Sequence, residues 1–324
     1  MTPKCFIRNW PLGGGTHLNS KTKKKFSLDK MMPFLVILPS LLLVIIFVYF
    51  FIGWTGIVSL VNWNSLKPDF TFVGLKNYTQ LLESFRFQSS LRNMIFFSLF
   101  FIVGVIVLGQ LLAIFLEQKI KGKWLYRNIF LFPMAMSFVV TGVAWRWILN
   151  PDSGVNIFLQ KFGFSPGWYT NVTIFPGWKI FKIEFGLPLA LIAVLIAAIW
   201  QMTGFSLAMY LAGLGNVSEE LKEAAMMDGA NKWQVYYKVV IPQLKPITYG
   251  LVLIMLQISL KIFDLVYTMT GSGPNFVTDM PAVYMYETTF KSNFYSEGAS
   301  IAIMMLMMVM VFIIPYILNR KEES

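Results

Sequence analysis

The residues able to do chemistry in this chain are few, and their positions limit what they can do. The single Cys (Cys5) and the single His (His17) both stand at the N-terminal end. The long remainder of the chain therefore has no thiolate or imidazole chemistry and no Cys/His metal cluster. A serine nucleophile fares no better. Gly204-Phe205-Ser206-Leu207-Ala208 lacks the last Gly of the G-x-S-x-G elbow, and no His is at hand to act as base. What is left is a small set of polar side chains within long apolar runs. Gln257, Lys261 and Asp264 are spaced i, i+4, i+7 and share one helical face. Ser259 falls on another face, and Gln201, Trp200 and Trp147 lie in other runs. A charge at membrane depth costs ~2.5–3.5 kcal/mol, so each case needs a reason. Two readings stay open: these side chains line a polar solute path, or Lys261 and Asp264 form an i, i+3 ion pair that braces its outer end. The 19 Met residues, dense between Met304 and Met310, read as adaptable packing rather than as a metal site.

The elements that must position these groups follow from composition. Of 324 residues, 56% are hydrophobic and 13% charged, with a mean hydropathy of +0.62. A soluble domain carries about 25% charged residues, so the chain reads as an integral membrane protein, all-α and polytopic. The net charge of +11 then belongs to loops facing anionic lipid rather than to a nucleic-acid groove. A spanning helix needs about 20 apolar residues, and six candidates occur, at about 34–52, 93–116, 125–149, 187–211, 247–269 and 299–318. They make one membrane domain over 31–320, preceded by a basic tail at 1–30. The first run is followed by Gly53-Trp54-Thr55 rather than a small-residue cleavage site, so it reads as a span and not as a signal peptide. On one side of the six spans fall 17 of the 27 Lys and Arg residues. They include Lys4, Arg8, Lys21 and Lys23 to Lys25 in the tail, Lys119, Lys121, Lys123 and Arg127 in the second connection, and Lys222, Lys232, Lys238 and Lys245 in the fourth. The positive-inside rule puts that side, with both termini, in the cytoplasm.

Three connecting segments have character. Leu75, Tyr78, Leu81, Leu82 and Phe85 recur at helical spacing and predict a short amphipathic helix. The stretch 150–186 is rich in Trp, Gly and Pro, with aromatics fit for an interfacial belt or for stacking on sugar rings. The segment 218–246 predicts a helix–turn–helix on the cytoplasmic face. Ser218 is a cap, Glu219 and Glu220 occupy the first turn, and Gly229 stands where a left-handed turn ends the helix. Leu221, Ala224 and Ala225 form a narrow stripe open to a partner, and Pro242 and Pro246 mark re-entry.

That last segment resembles the EAA loop of ABC importer permeases. Glu223-Ala224-Ala225 is followed by Gly229 and, nine residues later, by Val239, then Ile241-Pro242; Val239 and Ile241 are conservative departures. Asp228, Gly229, Ala230 and Trp233 match the carbohydrate subset. Phe72 to Tyr78 resembles FVGLxNY of maltose-permease F-like proteins, Trp145-Arg146-Trp147 with Asn150-Pro151 their IWRWxxNP, and Trp200-Gln201 with Gly204-Phe205 their WQxxGF. Ile262 to Tyr267 and Thr270 to Pro274 resemble VFDxIYVMTGGGP, with Ser272 in place of a Gly.

The resemblance implies a type I ABC importer transmembrane domain of six helices with a cytoplasmic coupling helix, in a cytoplasmic (inner) membrane. It implies a non-catalytic permease subunit paired with a second, homologous one. Two ATP-binding subunits hold ATP and Mg, and an extracytoplasmic sugar-binding protein delivers a sugar or oligosaccharide. No G-x-x-x-x-G-K-S/T loop occurs in the chain, so hydrolysis falls to a partner and the chain itself binds no cofactor or metal. Glu223, Ala224, Ala225, Asp228, Gly229 and Pro242 are then the coupling residues. Gln201, Gln257, Ser259, Lys261, Asp264, Trp147 and Trp200 are the substrate-path candidates. Permeases for glycerol-phosphate-like solutes share these motifs. A secondary carrier, driven by an ion gradient, would leave the EAA loop without a purpose.

Overall fold

In a computed structural model the chain is described over residues 28–118, 120–180 and 182–322. The basic tail before Leu28, with Cys5 and His17, and the loop residue Lys119 lie outside the described residues. Contacts divide the chain at Ile52/Gly53. The first unit holds α1 (Leu28–Val44), a π-helical stretch (Ile45–Phe50) and the first two residues of α2 (Phe51–Ser59), the rest of which belongs to the second. Residues 36–50 are all exposed, and Val36–Ser59 is long and apolar enough to cross a bilayer.

The second unit is built on two long helices, α4 (Phe85–Glu117) and α8 (Leu189–Leu214). Apolar or small residues at every fourth position of α4 (Phe97, Phe101, Val105, Gly109 and Ala113) are buried, as a stripe along one face requires. They meet Leu191, Val194, Ala197, Ala198 and Leu207 of α8 in one core cluster. Two glycines set the closeness of this crossing. A Cβ at Gly104 would fall 2.5 Å from Ile199 Cδ1, and one at Gly109 2.2 Å from Ser206 Oγ. Lipid tails are as apolar as Leu, so such small-residue approach, rather than water exclusion, drives association within a bilayer.

Around this pair the other helices are short or broken. α3 (Lys76–Glu83) occupies the place of the predicted amphipathic helix. Its inward residues are Leu81 and Asn77, however, while Leu75 and Leu82 stay exposed. The predicted third span is not one helix. α5 (Lys123–Leu131) and α6 (Phe138–Ile148) are bent by 104° about Pro133 and the following turn. Pro133 has no N–H to continue the ladder, and Ser137 restarts it by accepting from the Val140 N–H at 3.2 Å. After α6 come α7 (Val155–Leu159) and an antiparallel hairpin, β1 (Ile174–Ile180) with β2 (Ile183–Pro188). The hairpin corrects the all-α expectation.

Beyond α8 the chain forms α9 (Glu219–Met227), α10 (Lys232–Val235), α11 (Ile241–Gln243) and α12 (Lys245–Leu260). The predicted fifth span also breaks: α12 ends at Leu260 and α13 (Asp264–Met269) begins after a three-residue gap. α14 (Pro281–Tyr286) and α15 (Tyr295–Glu322) complete the chain. Among the described residues four helices are long enough to span, or up to six if each of two bent pairs counts as one.

The crossing yields a test. Gly109→Ala should lower the melting temperature of the purified protein by an amount matching the ~1–3 kcal/mol of core overpacking. Gly250→Ala, where a Cβ meets nothing within 4 Å, should leave it unchanged or raise it.

Candidate functional site

The segment after α8 has the geometry of a rigid knuckle. α9 ends in a Schellman turn, in which the Gly229 N–H bonds Met226 O and the Ala230 N–H bonds Ala225 O, both at 3.0 Å. Gly229 takes φ +85°, the left-handed conformation anticipated for it. Two residues later Asn231 opens α10 with a reciprocal capping box to Gln234, at 2.9 and 2.8 Å. Ser218 precedes α9 but makes no side-chain cap, so of the two predicted ends only the glycine end is built as expected.

This knuckle is fastened to the end of α4. Lys222 is buried, and its Nζ lies 2.6 Å from Glu117 Oε1 and 3.1 Å from Glu219 Oε1. The Tyr236 hydroxyl donates to Glu117 Oε2 at 3.0 Å. Burial opposes the charge on Lys222, but its hydrogen bonds to Glu117 and Glu219 and their negative charge outweigh it, and the ammonium pKa is raised. Glu117 escaped the sequence reading because it stands at the end of an apolar run, where a carboxylate reads only as a boundary. The outward surface of the knuckle is apolar: Leu221, Met227, Trp233 and Tyr237 are exposed, Met227 to 88%. Glu223, Ala224, Asp228, Gly229 and Pro242 are exposed with them, and Ala225 is half-buried. No Cβ neighbour lies within 4 Å of Gly229.

The substrate-path candidates are not gathered into one cavity. Because α12 ends at Leu260, Gln257, Lys261 and Asp264 do not share a helical face, and Lys261 and Asp264 form no ion pair. Both remain exposed. Ser259 is buried and donates to Leu256 O of its own helix at 2.9 Å. Gln257 is exposed beside an apolar groove of about 290 Å³ lined by residues including Leu253, Leu256, Val309 and Phe312. Trp147 is 73% exposed. Gln201 and Trp200 do come together with the break between α5 and α6. Gln201 Nε2 donates to Met136 O at 2.7 Å, and its Oε1 is buried without a partner. The rings of Trp200 and Trp145 meet edge-on at 5.6 Å. Gly204 belongs to the same meeting place, since a Cβ there would fall 2.8 Å from Phe130 O.

At the other end of α4 a polar clamp holds the loop after α13. Asn93, fully buried, donates through Nδ2 to Phe276 O and Asp279 O at 2.9 Å, while Arg92 donates to Asn93 Oδ1 and Glu184 O. Arg86 Nε lies 2.7 Å from Asp279 Oδ2, Nη2 lies 2.5 Å from Glu287 Oε2, and the guanidinium covers the Phe276 and Tyr284 rings. Burial pushes the Asp279 carboxyl up to about 6, with the Arg86 hydrogen bond pulling the other way. Asn275 and Phe276 take φ +50° and +59°. Left-handed backbone costs a non-glycine residue about 1–2 kcal/mol, and the clamp is what holds it. Arg86 and Arg92 were legible only as flanks of an apolar run.

A small-residue crossing, broken membrane helices and an exposed knuckle tied to the longest helix define a transport protein's membrane subunit. Over residues 105–321 the sequence matches the family described as binding-protein-dependent transport system inner membrane component, and the chain belongs to that family. It is 37% identical over 287 residues to a probable ABC transporter permease protein of Pyrococcus horikoshii, covering 87% of this chain and 93% of the relative. It is 32% identical to the xylose/arabinose import permease protein XacH of Haloferax volcanii, over 84% and 82%. The trehalose/maltose transport system permease protein MalF of Thermococcus litoralis is 29% identical, over 92% and 97%. A chain of a bacterial alginate ABC transporter, solved in complex with an alginate pentasaccharide-bound periplasmic protein, superposes with a TM-score of 0.73 at 20% identity, over 89% and 93%. That likeness shows the fold.

Two outcomes are expected. Glu117→Ala, which strips Lys222 of its shorter partner, should cost about 1–3 kcal/mol and speed hydrogen exchange across 219–236. Lys222→Met added to Glu117→Leu should restore part of the protection. Asn93→Ala, which takes the side-chain donor from Asp279 O and leaves Phe276 O only the Asp279 N–H, should expose 271–280 to exchange without altering 219–236.

Proposed function

We propose that the chain is the permease subunit of an ATP-driven, binding-protein-dependent importer and forms half of the translocation pathway for a sugar or oligosaccharide. The observation that carries this reading is the exposed apolar knuckle around Gly229, anchored through Lys222 to Glu117. A surface of that kind on a membrane subunit with no phosphate loop of its own is suited to receive force from a partner. In this reading six spans cross the membrane, the bent pair α5 and α6 forming the third and α12 the fifth, and both termini and the knuckle are cytoplasmic. Two ATP-binding subunits carrying ATP and Mg dock on this chain's knuckle and on that of a second, homologous permease. Glu223, exposed beside Ala224, is placed to pair with a basic residue of the ATPase. Nucleotide-driven closure pulls the knuckle, and the Lys222–Glu117 tie passes the movement to α4 and across the glycine crossing to α8. An extracytoplasmic binding protein delivers the sugar. The names of the relatives, for xylose/arabinose and for trehalose/maltose, support a neutral carbohydrate. Within the pathway we assign Gln201 and Trp200, beside the break between α5 and α6, as substrate contacts ahead of the other five candidates.

The experiment is co-purification of the full chain in mild detergent, with ATP hydrolysis measured with and without candidate sugars and their binding protein. A second permease and an ATPase, with hydrolysis stimulated by one sugar, are expected. A chain that purifies alone and moves solute under an ion gradient without ATP refutes the reading. Gly229 gives the finer test. Asn tolerates the left-handed conformation, so Gly229→Asn should preserve α9 while adding bulk at the docking surface. Stimulated hydrolysis should fall about tenfold or more in both Gly229→Asn and Gly229→Leu, a loss equivalent to the ~1.4 kcal/mol per decade of a weakened association. Membrane insertion should be unchanged.

A further inference from the structure

A cavity of about 260 Å³ opens where the end of α4, the start of α5 and the later part of α8 meet, lined by Leu116, Lys123, Arg127, Ala208, Leu211 and Ala212. Its lining has two chemistries. Lys123 and Arg127 are four residues apart on α5 and reach the same side. The other four residues form an apolar floor in which two alanines leave the space. Neither cation has a carboxylate within ion-pairing distance among the described residues. Glu117, next to Leu116 in sequence, is already engaged by Lys222 and Tyr236. α5 buries no residue, and Trp124 and Leu125, between the two cations, are 75% and 53% exposed. That is the pattern of a segment lying in the membrane interface, with an aromatic ring at headgroup level.

We propose that this cavity binds the headgroup of an anionic phospholipid. The phosphate oxygens accept hydrogen bonds from Lys123 Nζ and the Arg127 guanidinium, and the glycerol and first acyl carbons rest on Leu116, Ala208, Leu211 and Ala212. A free phosphate satisfies the cations but gains nothing from the floor, whereas a lipid uses both parts. The proposal rests on the reading above only in placing this end of α4 at the cytoplasmic surface, where anionic lipids and basic pockets between helices meet. The bound lipid then lies one residue from the carboxylate that anchors the knuckle, so the coupling tie and the headgroup share one wall.

The test is native mass spectrometry of the full purified chain, with any subunits that accompany it, from mixed micelles holding equal phosphatidylglycerol and phosphatidylcholine. Preferential retention of phosphatidylglycerol is expected, falling about fivefold for each of Lys123→Gln and Arg127→Gln. Ala212→Leu, which fills the floor and keeps both cations, should reduce it as well. Lys179→Gln and Lys182→Gln, in the hairpin region, should not. Equal retention of the two lipids, or equal losses in the hairpin variants, overturns the proposal. So does displacement of phosphatidylglycerol by inorganic phosphate at matching concentration, which would make this an anion site without a lipid. Sugar-stimulated ATP hydrolysis that persists in the face of such a result leaves the importer reading intact.

Discussion

The close crossing of α4 on α8 is the constraint on which the rest of this protein depends. Gly109 admits Ser206 where even a methyl group would collide, and in a bilayer such contact must stand in for the water exclusion that holds soluble cores together. Once the two helices are locked, α4 serves as a rod of about 50 Å with a polar clamp at each end. Asn93 and the two arginines fix the loop after α13, and Glu117 fixes the knuckle.

The sequence is most informative where a single residue determines local geometry. Gly229 announces the left-handed end of α9, and Asn77 closes its motif by donating to Ser59 O and Val61 O. Long apolar runs located α4, α8 and α15 to within a turn or two, with each helix extending past its apolar core because polar flanks continue the same ladder. Breaks were less legible. Pro133 signals the bend in the third run, but at Lys261 no Pro or Gly marks the end of α12. Hydropathy cannot distinguish a continuous span from two halves. The hairpin was hidden for a related reason, since its strands are short and interrupted by Pro176 and Gly177, which read as loop residues.

The candidate site divides along the same line. In the candidate coupling segment the Gly229 turn was legible because its chemistry is local to one continuous stretch. Gln257, Lys261 and Asp264 share a face only on an unbroken helix, and the break after Leu260 separates them. Gln201 and Trp200 meet Met136 and Trp145 through tertiary contact rather than through helical spacing. The charged clamps depend on pairs such as Lys222 with Glu117 and Arg86 with Asp279, more than 100 residues apart in each case, and no local pattern links them.

The two clamps also make the protein a gauge of its bilayer. Asn93 and Glu117 are 24 residues apart along one helix, about 36 Å, while a typical hydrocarbon core is about 30 Å thick. Both polar ends clear such a core by about 6 Å, and a steep tilt of about 34° would consume the difference. A thicker, sterol-rich core of about 32–33 Å would be cleared with less tilt, and a thinner one with more. The separation of the clamps thus lets this subunit meet the ordinary range of bilayer thickness by tilt alone.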